Sequence, residues 1–130
     1  MPVAVVNGVW LYYQIRGQGK PVVIITGLGT DSSDFQLITE LLAKCYKVLI
    51  FDNRGSGKSD KPNEPYSIGL MAEDTAGVMQ AAGWQQASIV GVSLGDRIAL
   101  ELAAQHPSMV DKLVLVHRAS VCSTAGGVPS

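Results

Sequence analysis

Short apolar runs separated by polar, glycine-containing breaks set the rhythm of this chain. Val3 to Val6, the pair Asn7-Gly8 and Val9 to Ile15 read as a β-hairpin, because Asn-Gly favours a tight type I′ turn. Val22-Val23-Ile24-Ile25 and Val48-Leu49-Ile50-Phe51 are continuous apolar runs, the pattern of strands covered on both faces. Between them Asp31, Ser32, Ser33 and Asp34 offer N-cap chemistry. Phe35, Ile38, Leu41, Leu42 and Cys45 then recur at helical spacing, which predicts a helix from Phe35 to Lys44. Asp52 to Pro65 is a polar loop rich in Gly and Pro. A second helix is predicted over Ile68 to Ala82, stopped by Gly83. Ala87 to Val90 reads as a strand, Leu94 to Gln105 as a helix ended at His106-Pro107, and Leu113 to Val116 as the last strand. Strands alternating with helices predict an α/β fold: a mostly parallel sheet with right-handed crossovers, flanked by helices, with the hairpin as an antiparallel edge. Residues 1–119 form one unit in this reading, and residues 120–130 a flexible tail.

Composition narrows the class. The 130 residues allow one domain, and 47% hydrophobic content supports a real core. A formal net charge of -1, with scattered basic residues, gives no electrostatic reason to expect nucleic acid or an anionic membrane. No apolar run approaches the roughly 20 residues needed to cross a bilayer. No signal peptide is legible, so a cytoplasmic setting is expected. The two cysteines, Cys45 and Cys122, make no disulfide framework and have no metal-ligand spacing. Cys45 is expected to be a small buried hydrophobe. No metal and no cofactor is expected.

Candidate chemistry collects at three strand ends, where open α/β sheets place their sites. Thr26-Gly27-Leu28-Gly29 lets backbone N–H groups approach a ligand. Asp52-Asn53-Arg54-Gly55-Ser56-Gly57-Lys58-Ser59 follows the next strand. Its Asp52 and Arg54 are expected to fix the loop by internal hydrogen bonds. Its phosphate-loop look fails, because the leading glycine of G-x-x-x-x-G-K-[ST] is absent. The third segment is Gly91-Val92-Ser93-Leu94-Gly95, a G-x-S-x-G between a strand and a helix. That context makes it a nucleophile elbow. His106 precedes a helix-stopping proline and is expected to be structural. Trp10 and Trp84 are expected to pack at element edges. Tyr12 and Tyr13 alternate along a strand, so only one can face the core.

Together and in this order, the three segments resemble the α/β-hydrolase superfamily, with the look of its small esterases, enol-lactonases and carbon–carbon bond hydrolases. Val22 to Gly29 is similar to the family's strand and His-Gly-x-Gly loop. Asp52, Arg54, Gly55, Gly57 and Ser59 match its D-x-R-G-x-G-x-S loop. His106-Pro107, Val110 and Leu113 to Leu115 match the helix end and strand after the elbow. The resemblance runs from about Val9 to Val116, the amino-terminal half of the family's domain. It implies Ser93 as nucleophile and the N–H groups of Leu94 and Leu28 as oxyanion hole. A donor at a helix N-terminus suits developing negative charge and contributes about 3 kcal/mol to a tetrahedral intermediate. A serine at the elbow disfavours the carboxylate chemistry of dehalogenases and epoxide hydrolases. Thr26 stands where the family has histidine, and Asp96 where a small residue often follows.

The resemblance also implies a truncated domain, without the last two strands, the lid, or the acid and histidine that follow them. The thirteen residues after His117 contain no Asp, Glu or His. Loss of the base costs a serine hydrolase roughly 10^6-fold. His117, at the exit of the last strand, is a candidate substitute base. Two readings follow. One is a serine hydrolase of small ester-like carbonyl substrates, weak or inactive alone. The alternative is a non-catalytic half that acts as a structural or self-assembling domain. An open last strand tends to pair with another chain, so a homodimer or a complementing carboxy-terminal half is expected.

Overall fold

The computed structural model describes residues 3–27, 32–63 and 66–116. In chain order its elements are β1 (Val3–Val6), β2 (Val9–Arg16), β3 (Lys20–Ile25), α1 (Gln36–Leu42), β4 (Tyr46–Phe51), α2 (Ile68–Ala81), β5 (Ala87–Val92), α3 (Gly95–Gln105) and β6 (Val110–Val116). They build one six-stranded sheet in the order β1-β2-β4-β3-β5-β6. β1 and β2 pair antiparallel, as do β2 and β4; the other neighbours are parallel. The hairpin turn forms as its sequence predicts. Asn7 and Gly8 hold φ of 50° and 82°, the two left-handed positions of a type I′ turn.

Alternation along the strands divides the core into two layers. Val23, Ile25, Leu49, Phe51 and Ile89 pack against α2 and α3 on one face. Ile24, Val48 and Ile50 face the other way, toward Phe35, Leu42 and Ala43 around α1. Both faces of β3 and β4 are therefore dry, which is why these strands read as unbroken apolar runs.

Several expectations change in detail. The helix predicted from Phe35 begins as a 3₁₀ turn, Ser32–Phe35, and is α-helical only over Gln36–Leu42. Thr39 Oγ1 donates back to Phe35 O at 2.7 Å and ties the two parts together. Because the helix stops at Leu42, helical spacing no longer places Cys45. It sits in the following turn, its N–H donating to Leu42 O at 3.0 Å, and its side chain is exposed rather than buried. β5 runs to Val92, two residues beyond the predicted end. Trp84 is buried, but Trp10 lies opposite Val5 on the outward face of the hairpin and is 46% exposed. Tyr12 is buried, while Tyr13 packs partly buried against the core. The predicted tail, residues 120–130, lies outside the described residues, as do Leu28, Gly29 and His117.

Candidate active site

The elbow is where β5 turns into α3. Ser93 carries φ of 59°, a left-handed conformation that a residue with a Cβ adopts at a cost of about 1–2 kcal/mol. Its flanking glycines explain how the turn fits. A Cβ on Gly91 would lie 2.6 Å from Gly95 O and 2.8 Å from Asp96 Cα. A Cβ on Gly95 would run into the Ile25 carbonyl of β3. Neither position admits a larger residue while the helix starts this close to the sheet.

Hydrogen bonds fix the turn on both sides. Ser93 N–H donates to Val116 O at 2.8 Å, which ties the elbow to the end of β6. Ser93 O accepts from Asp96 N–H at 3.1 Å, and Leu94 O from Arg97 N–H at 3.2 Å, within the first turn of α3. The Ser93 side chain is half-buried and the Leu94 side chain exposed. Gly27 comes alongside. Its Cβ, if it had one, would lie 3.2 Å from Leu94 N and 3.5 Å from Ser93 Cβ. The strand end leading into the Leu28 loop therefore meets the helix start at the serine. Asp96 is buried beside the turn.

The loop after β4 is braced from within, as the sequence suggests. Asp52 Oδ1 accepts from Ser32 N–H at 2.7 Å and Oδ2 from Lys58 N–H at 3.0 Å. Ser59 Oγ accepts from Tyr12 N–H at 2.9 Å and donates to Asp52 O at 2.5 Å. Arg54 is not an anion clamp. Its guanidinium is buried against Asp74 of α2, with Nε 2.6 Å from Oδ2 and a second nitrogen 2.9 Å from Oδ1. Asn7 of the hairpin turn donates to the same Oδ1 at 2.9 Å. Lys58 lies over the Tyr12 ring, 4.9 Å from its centroid.

Two groups escaped the sequence reading. Asn53, the variable position of the loop motif, donates from Nδ2 to Thr26 O at 2.8 Å. It holds the peptide that precedes Gly27 against the elbow. Asn53 Oδ1 and Thr26 Oγ1 are both buried, and neither has a hydrogen-bond partner among the described residues. Asp74 was the second omission. Its position three residues after Met71 and four before Val78 puts it on the buried face of α2, where a carboxylate requires a cation.

His106 lies at the far end of α3, about 16 Å along an eleven-residue helix from the elbow. Its Nε2 is 3.1 Å from Glu73 Oε2. Among the described residues no cluster of three or more His, Cys, Asp or Glu could hold a metal ion, and no helix is long and apolar enough to cross a membrane.

A sequence profile described as the alpha/beta hydrolase fold matches residues 20–124. A protein of Azorhizobium caulinodans that bears the name carbamate hydrolase RutD is 36% identical over 117 residues, covering 90% of this chain and 44% of that protein. Among solved structures, the enol-lactonase from Burkholderia xenovorans LB400 is 34% identical with a TM-score of 0.82, covering 86% of this chain and 45% of that one. Est816, described as an N-acyl homoserine lactone degrading enzyme, is 34% identical with a TM-score of 0.84, covering 88% and 44%. The chain thus spans a little under half the length of each of these proteins.

Proposed function

The chain belongs to the α/β-hydrolase fold family, and from that premise we propose that it carries the nucleophile half of a serine hydrolase acting on esters, lactones or related acyl carbonyls. The observation that carries this reading is Ser93 itself. A polar side chain stands at φ 59° between two close-packed glycines, beside the Leu94 N–H at the start of α3. A turn with no chemical task would gain from glycine there. Carbamate hydrolase, lactone-degrading enzyme and enol-lactonase, the names of the similar proteins, all point to an activated acyl carbon.

In this reading Ser93 Oγ attacks the acyl carbon and passes its proton to a base. The carbonyl oxygen becomes an oxyanion between the N–H groups of Leu94 and Leu28. Collapse of the adduct expels the alkoxide, which takes up the proton and leaves an acyl-serine. Water, deprotonated by the same base, then releases the acid. His117 is this chain's candidate base. It directly follows Val116 in the sequence, and the Val116 carbonyl accepts the Ser93 N–H. A partner chain or a carboxy-terminal half is the other source.

The second reading is a half that does not turn over substrate alone. One observation favours it: His106, the one described histidine, is paired with Glu73 at the opposite end of α3. Hydrolysis of p-nitrophenyl acetate by the wild-type chain and by Ser93→Ala separates the two. Turnover abolished by Ser93→Ala supports the hydrolase and brings His117→Ala next. Equal, near-background rates leave the non-catalytic half.

A further inference from the structure

β2 has two unlike faces. Leu11, Tyr13 and Ile15 point into the core shared with α2 and α3. Tyr12, Gln14 and Arg16 alternate with them and point to the side of α1. On that side α1 packs over Ile24 of β3 and over Val48 and Ile50 of β4. The space left between α1 and β2 is a cavity of about 170 Å³, with Thr39 and Glu40 of α1 on its far wall. Asp52 lies at the end level with Tyr12, whose carbonyl accepts the Asp52 N–H at 3.0 Å. Arg16, opposite Val48, lies at the other end.

A strand face turned to water is polar for that reason alone. Here three of the polar side chains are instead buried: Tyr12 is 6% exposed, Thr39 3% and Asp52 1%. Two of them keep hydrogen-bonding capacity in reserve. The Tyr12 hydroxyl accepts from Gln14 Nε2 at 2.6 Å, and its own hydrogen has no acceptor among the described residues. The Asp52 carboxylate accepts the N–H groups of Ser32 and Lys58, and it forms no ion pair among the described residues. Two carboxylate oxygens offer about four lone-pair positions, so roughly half are unused. Buried polar groups are ordinarily satisfied, which marks the cavity as a place where a further polar molecule is welcome.

Charge and size narrow the occupant. The charged side chains of the lining are two cations, Arg16 and Lys58, and two anions, Glu40 and Asp52. Arg16 and Glu40 already face each other at 3.8 Å. The lining is therefore neutral as a whole, and a ligand with net charge meets as much repulsion as attraction. What remains to be met is a donor on Tyr12 and acceptor positions on Asp52. A hydroxyl is the group that accepts from the first and donates to the second. Pockets for drug-sized molecules begin at about 300 Å³, so this cavity suits something smaller.

We propose that the cavity between β2 and α1 binds a small neutral polyhydroxyl molecule, a polyol or monosaccharide, through Tyr12, Gln14 and the Asp52 carboxylate. The inference rests on the lining of this cavity, and stands whether or not Ser93 turns over substrate.

The test is titration of the full isotope-labelled chain with glucose and with glycerol, followed by proton–nitrogen correlation NMR. The side-chain amides of Gln14 and Gln36 and the backbone N–H groups of Ser32 and Lys58 report on the cavity. Their signals should shift saturably with glucose, with a dissociation constant on the order of 1–10 mM, as suits a ligand of its size. Propionate and propylamine, which carry one charge each and no hydroxyl, should not saturate. Tyr12→Phe and Gln14→Leu should each weaken glucose binding about fivefold, the loss expected for one hydrogen bond. Gln85→Leu, at an exposed position before β5, should not. Spectral dispersion shows in the same experiment that each variant is folded. Ser93→Ala should bind glucose like wild type, which separates this proposal from the catalytic one. Three results overturn it: no saturable shift with either polyhydroxyl probe, saturation by propionate or propylamine instead, or binding indifferent to both Tyr12→Phe and Gln14→Leu.

Discussion

Thr26 and Asn53 meet under the elbow, and their polar atoms are not equivalent. The Asn53 amide N–H satisfies the carbonyl of Thr26, whereas the Thr26 hydroxyl has no partner among the described residues. Removing a donor from a buried carbonyl leaves an unpaired acceptor and costs about 1–3 kcal/mol. Removing an already unpaired hydroxyl costs nothing of that kind. Thr26→Val should therefore leave stability unchanged or raise it by up to about 1 kcal/mol, the shape and β-branching being kept. Asn53→Leu should lower it by about 1–3 kcal/mol. Urea unfolding of the two variants beside wild type checks the contrast. A Thr26→Val loss as large as that of Asn53→Leu would mean that the hydroxyl has a partner, such as a buried water. If the elbow is catalytic, Asn53→Leu should also lower kcat more than it raises KM, because it loosens the peptide beside the Leu94 N–H. Asn53→Gln, which keeps the donor, should recover part of kcat.

Three elements meet at the Arg54–Asp74 pair: the loop after β4, α2, and the hairpin turn through Asn7. Both charged side chains are almost wholly buried, so removing one partner strands the other charge. Arg54→Met or Asp74→Leu alone should cost about 3–5 kcal/mol, a large share of a small domain's stability. The double variant should recover most of that loss, and thermal unfolding of the set reads the coupling. A double variant no more stable than the singles would mean that Asn7 or the loop depends on the charge itself. Legibility at this scale followed range. The hairpin, β3, β4, α2 and the elbow were readable because turn chemistry and local periodicity specify them. Cys45 was misplaced because α1 ends early, and a helical count carried past Leu42 says nothing of the turn that follows. Arg54 was expected to fix its own loop by internal hydrogen bonds, but its guanidinium reaches Asp74, 20 residues away on another element, a link that no local pattern encodes. Of the candidate site, the turn at Ser93 and Leu94 was legible from the G-x-S-x-G spacing between a strand and a helix. Asn53 was not, since its role exists only once β3 and β4 lie side by side.

At the scale of the molecule, β6 is one edge of the sheet, and no strand among the described residues pairs with its outer side. Val116 directs its carbonyl inward, to Ser93 N–H of the neighbouring strand end. Alternation along the strand then turns the N–H and C=O groups of Leu113 and Leu115 outward. Such an edge pairs with another strand when one is offered. In isolation the expected partner is a second copy. A two-fold axis normal to the sheet would run two β6 strands antiparallel. Centring that axis on Asp111 or Lys112 would set like charges opposite each other, whereas centring it on Leu113 or Val114 keeps them apart. The 13.7 kDa chain should therefore approach twice its mass in sedimentation as concentration rises. Leu115→Pro removes an outward N–H and leaves the bonds of Val114 and Val116 to β5 in place, so it should hold the chain monomeric without unfolding it. The carboxy-terminal portion of a relative would compete for the same edge. Adding it should convert the homodimer to a one-to-one complex rather than to a larger assembly. A chain that stays monomeric at its highest soluble concentration would mean that β6 is protected in isolation, and edge pairing would then be the wrong account of how this sheet is completed.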